Sequence, residues 1–167
     1  MSDKASLLKE IEEVFPFINK PQGLSLSFHK DGCPNCDVVR RHLEEYSGQE
    51  LSRQALRYVH SEMGCLSAKG WSWVLPSLLR YCVGVDDTYD GVETEYLIYS
   101  LGPELKYQKE VLEHLSELNG PQVSCLIHFL EWCSDHSYWS DYCSEEIEQA
   151  IGFMQSYRHN RRFKVSA

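Results

Sequence analysis

The sharpest chemical feature of this 167-residue sequence is Cys33-Pro34-Asn35-Cys36. Two thiolates at this spacing can share one tetrahedral zinc ion, and a closed structural site needs four ligands. The sequence holds one such pair, so the remaining ligands have to come from His29, His42, His60 or Cys65. His29 and His60 are the best placed of these, because they lie outside the helix that Cys36 opens or at the end of another. The plain alternative is a reduced thiol pair at a helix start, and a redox pair is the third. A thioredoxin-like motif follows a strand in an alternating α and β pattern. That alternation is absent here.

A second cluster is anionic: Asp86, Asp87, Asp90, Glu93 and Glu95 fall within ten residues around Gly91. Read as a calcium loop from Asp86, Thr88, Asp90 and Gly91 fit, but the twelfth position is Leu97 where a bidentate glutamate is required. The calcium motif therefore fails. What remains is a solvated loop or a docking patch for a basic partner. The stretch Trp132 to Cys143, WCSDHSYWSDYC, adds four aromatics, two aspartates and a histidine. Aromatic anchors beside charges are common at interaction surfaces. Asp135, Tyr138, Trp139, Asp141 and Tyr142 are the candidates here, although for Trp132 and Trp139 core packing is the first expectation. His128 and Glu131 share a helix face and could meet Glu95, Glu110 or His114 in a cleft. A histidine between Ile127, Phe129 and Leu130 is more simply a satisfied core residue. No complete hydrolase, metalloprotease, phosphate-loop or dinucleotide signature is present, and no catalytic residue is assigned.

These groups must be positioned by helices. Ser67 to Val83 is the most apolar stretch, with Trp71, Val74, Leu75, Leu78, Leu79 and Cys82 at three- and four-residue spacings. Ser67 is a good cap. Pro76 interrupts the pattern, so a kink or a split into Ala68 to Val74 and Pro76 to Val83 is expected. The stretch is too short and too polar at its ends to span a membrane. Before it, Leu7, Leu8, Ile11, Val14 and Phe15 predict a helix capped by Ser2 or Asp3 and ended by Pro16. The segment PQGLSLSFHKDG reads as an extended loop, since no partner strand is evident. Further helices are expected after Cys33, after Ser52, from Thr94, from Glu104 to Leu118, from Pro121 to about Cys133 behind the cap Asn119, and after Ser144.

At this length one domain is the natural expectation, with residues 1–157 as its body and 158–167 as a basic tail that frays. A hydrophobic fraction of 43% and a charged fraction of 25% are those of a globular chain rather than a disordered one. The net charge of -9 argues against general nucleic-acid binding, which needs a basic face, and favours a basic partner. The N-terminus has acids among its apolar residues, unlike a signal peptide. Seven cysteines, an odd number scattered through helices, fit reduced thiols. Both features point to the cytoplasm.

The run from Cys33 to Cys36, then His60, Leu66-Ser67, Gly70-Trp71 and Leu75-Pro76, resembles a bacterial family of small helical proteins of unknown function. Leu118 to Trp132, LNGPQVSCLIHFLEW, looks like the family's second hallmark, a helix introduced by a polar cap and proline. The likeness covers about two-thirds of the chain and implies architecture without a mechanism. The expected fold is all-α: a compact single-domain bundle of about seven to nine short helices, with the central one kinked at Pro76. The expected function is a non-catalytic, cytoplasmic, protein-binding module without a cofactor. Its concrete form is an immunity-type inhibitor that neutralises a bacterial toxin, a basic protein, through the acidic and aromatic surface. The alternative is a zinc- or thiol-dependent enzyme or sensor centred on Cys33 and Cys36.

Overall fold

The computed structural model describes residues 3–85 and 91–166. Among them are nine α-helices and no strand: α1 (Lys4–Val14), α2 (Pro34–Leu43), α3 (Arg53–Val59), α4 (Ala68–Gly84), α5 (Val92–Leu101), α6 (Gln108–His114), α7 (Gly120–Asp135), α8 (Ser137–Tyr142) and α9 (Ser144–Ser166). Among the described residues no helix is long and apolar enough to cross a membrane. The caps follow local chemistry. Asp3 accepts from the Ser6 amide, Ser52 from that of Ala55 and Ser67 from that of Gly70, while Asn119 and Gln122 form a reciprocal capping box.

Helix α4 is the spine. α1, α3, α5 and α6 pack on it, and α7 packs against both α1 and α9. Trp71, Trp73, Val74, Leu75, Leu78, Leu79, Cys82 and Val83 are all buried. The expected split at Pro76 does not occur, for α4 is one continuous helix with Pro76 inside it. A mid-helix proline costs about 3 kcal/mol. Each large side chain buried around it returns about 1.5–3 kcal/mol, so burial on both flanks outweighs the lost hydrogen bond. The Pro76 carbonyl also accepts from Arg80 Nη1 at 2.8 Å, and the same nitrogen reaches the Phe15 carbonyl at 3.0 Å. The turn after the proline is thereby tied to the end of α1.

Other boundaries move. Thr94 does not cap α5: the helix starts at Val92, and Thr94 lies buried within it. The expected helix over Glu104 to Leu118 is a 3₁₀ turn, Leu105–Tyr107, followed by the shorter α6. The aromatic linker is itself helical, as α8. Helix α9 continues through the basic segment to Ser166.

The segment before α2 is the extended loop expected, with one 3₁₀ turn at Gly23–Leu26. It docks antiparallel on the chain leading into α4. Ser67 N donates to the Leu26 carbonyl at 2.9 Å, Phe28 N to the Cys65 carbonyl at 2.9 Å, and Ser27 bridges Leu66. Gly70 permits this approach, because a Cβ there would sit 2.7 Å from the Leu26 carbonyl oxygen.

Two candidate sites, a thiol cluster and an aromatic face

The docking of residues 25–28 on 65–67 carries His29 and Cys65 to the start of α2. Gly32, at φ 75°, turns the chain into Cys33, a conformation natural to glycine. Cys33 then stands at the N-cap of α2 with Pro34 in the first turn. The nearby Cys36 backbone and thiol hold the Cys33 thiol below the usual range, although Cys33 makes no side-chain capping bond. Cys36 is buried, which pushes its thiol up. His29 Nδ1 lies 3.5 Å from Cys36 Sγ, and the ligand atoms of His29, Cys33 and Cys36 all fall within 4.8 Å of one another. Cys36 Sγ donates to the Cys65 carbonyl oxygen at 3.8 Å, and the Cys65 thiol is pushed up to about 12, chiefly by burial. Arg40 of α2 donates to Ser27 Oγ at 2.5 Å, fixing loop to helix.

His60 is not part of this group. Its ring meets Tyr96 edge-on at 4.9 Å and its Nδ1 is buried without a partner. His42 is stacked on Tyr58 at 4.4 Å. The structure thus brings together His29, Cys33 and Cys36, leaves His60 apart, and sets the Cys65 carbonyl against Cys36.

The acidic and aromatic candidates divide. Asp86, Asp87 and Asp90 lie outside the described residues. Glu93 is fully buried and paired with Arg57 Nε at 2.5 Å, so it serves the interior rather than a surface. Trp139 is only 4% exposed, so core packing takes it as well, and it is not an exposed anchor. The tyrosines are different. Tyr138 and Tyr142 are 38% and 56% exposed and stack at 5.4 Å. Tyr142 Oη reaches Glu95 Oε1 at 3.5 Å, and Tyr99 Oη donates to the same oxygen at 2.7 Å. Tyr99 and Tyr96, 39% and 40% exposed, continue the face along α5. The acidic segment and the aromatic segment therefore meet through Glu95, with Asp135 and Asp141 exposed on the same stretch as the α8 tyrosines. Tyr96 and Tyr99 were not among the candidates, and their three-residue spacing on a helix was the signal available.

The cleft around His128 does not form. His128 Nδ1 lies 2.8 Å from Glu10 Oε1 of α1, while Glu95 is engaged with tyrosines. His114 is buried, stacked on Trp71 at 4.9 Å and 8°, and its two ring nitrogens have no partner. Burial lowers it to about 4. A groove of about 860 Å³ lies between α6 and α9, lined among others by Leu112, Glu148, Phe153, Tyr157 and Arg161. No histidine or cysteine lines it among the described residues.

Residues 3–157 match the model of a family described as "Family of unknown function (DUF6714)". No curated protein and no solved structure matches the chain.

Proposed function

The chain belongs to this family of unknown function, and we propose that it is a non-catalytic protein-binding module whose partner is a basic protein. The supporting observation is the exposed tyrosine face of Tyr96, Tyr99, Tyr138 and Tyr142 gathered round the Glu95 carboxylate. Tyrosines give large rigid contact area with a polar tip. A carboxylate among them selects a cation, and the net charge of -9 steers a basic partner toward the surface. The concrete form is a cytoplasmic immunity-type inhibitor that neutralises a bacterial toxin by covering it, with Asp86, Asp87 and Asp90 preceding α5 in the chain as further acidic contacts. No catalysis, cofactor, nucleic acid or membrane enters this function.

The test is affinity capture from the source organism with wild-type, Tyr142→Ala and Glu95→Lys baits at low and high salt. The expected result is a basic protein held by the wild type at low salt. Both variants reduce its capture at least about tenfold, the scale of one lost anchor, while keeping the wild-type melting temperature. Equal capture by all three baits, or capture indifferent to salt, overturns the proposal. A second reading, an enzyme or sensor working through Cys33 and Cys36, is favoured by the convergence of His29 on that pair. Turnover or signalling lost in Cys33→Ser and retained in Tyr142→Ala would identify it.

A further inference from the structure

We propose that His29, Cys33, Cys36 and Cys65 hold one zinc ion in a closed, four-coordinate Cys₃His site that pins the loop before α2 to the start of α4. The argument rests on distances. Zinc binds sulfur at about 2.3 Å and imidazole nitrogen at about 2.0–2.1 Å, so in a tetrahedron a sulfur and a nitrogen on the same ion stand about 3.5 Å apart. His29 Nδ1 and Cys36 Sγ are 3.5 Å apart, and the Cys33 sulfur joins them inside 4.8 Å. Cys65 lies outside that trio, but its carbonyl oxygen is 3.8 Å from Cys36 Sγ, so its side chain starts from backbone beside the trio and is the ligand that an ion draws in.

Cys33 stands at the N-cap of α2, where the first amides of the helix have no helix partners. The left-handed turn at Gly32 and the bond from Arg40 to Ser27 fix the approach of both halves, which is the role of outer contacts around a metal. Three soft ligands and one imidazole select zinc over hard cations.

The reaction balances as one Zn²⁺ and three thiols giving a zinc tris-thiolate imidazole complex of net charge -1 and three released protons. The four ligands come from three separated segments, residues 29, 33–36 and 65. A bound ion therefore crosslinks the loop, α2 and the approach to α4, which otherwise hold together through the Ser27–Leu66 bridge and a few backbone bonds. With all four positions filled by protein, no position is left for substrate, so the role is structural.

The experiment is metal analysis of the full chain expressed with added zinc, followed by cobalt exchange. The expected result is about one equivalent of zinc, and a cobalt form whose sulfur-to-metal charge-transfer band reports three thiolates. A chelator lowers the melting temperature. Cys65→Ser and His29→Ala weaken zinc retention at least about tenfold, whereas His60→Ala keeps it in full. Less than about a tenth of an equivalent in the wild type, or full retention by Cys65→Ser, overturns the site as drawn. A Cys33–Cys36 disulfide in metal-free protein would assign the pair to redox chemistry instead. Because these measurements read metal and not partner capture, their failure leaves the tyrosine face untouched.

Discussion

His114 shows how a single buried side chain can set a pH dependence. It is neutral in the fold, at about 4 against an ordinary 6.5, because burial against Trp71 and Phe28 disfavours its cation. The unfolded chain protonates it first, so the unfolded state binds more protons between about pH 6.5 and 4. Stability is then fully present above pH 6.5 and falls as the pH drops through that window, by at most about 3 kcal/mol. His114→Phe keeps a ring against Trp71 and removes two unpaired nitrogens. It should match or exceed wild-type stability at pH 7 and exceed it clearly near pH 5. Urea melts at the two pH values check this, and an unchanged slope in the variant would refute it. Glu93 is the converse case. A carboxylate expected on the surface is buried and held by Arg57, and its second oxygen has no partner.

At the scale of the element, α4 explains why a proline inside a helix need not end it. Its flanks are enclosed on several sides, and the packing outweighs the missing bond. Leu79→Ala should cost about 2–5 kcal/mol through lost contacts and the cavity left behind, measured by denaturant unfolding; a near-neutral result would show that this face relaxes freely. Gly70→Ala tests the junction between the loop and α4. A methyl there meets the Leu26 carbonyl at 2.7 Å and Leu66 Cβ at 3.0 Å, so the variant should be destabilised although alanine favours helix. Hydrogen exchange should show faster opening at Ser67 and Phe28, whose amides bond across this junction. Gly102 meets α9 in the same way, a Cβ falling 2.9 Å from the Ala150 backbone.

Over the whole molecule one continuous core runs from Leu7 on α1 to Met154 on α9. Unfolding should therefore be a single cooperative transition. Far-ultraviolet circular dichroism should report a helix-dominated protein and melt at the same temperature as tryptophan fluorescence, which reads the buried Trp71, Trp73 and Trp139. Separated transitions would divide the bundle into independent parts.

Periodicity alone made the helical class, the caps at Asp3, Ser52, Ser67 and Asn119, and the buried face of α4 legible, because spacing and capping are local properties that a short window contains. The Cys33–Cys36 pair and His29 were legible for the same reason: they are near neighbours in the chain. That the Cys65 backbone meets Cys36 while His60 stands apart depends on the docking of residues 25–28 on 65–67, a pairing between segments about forty residues apart. Likewise, continuity through Pro76, the burial of Glu93 and the meeting of Glu95 with Tyr142 depend on what packs from elsewhere. Tertiary burial can outweigh a local propensity of a few kcal/mol, and no window of sequence contains the neighbours that supply it.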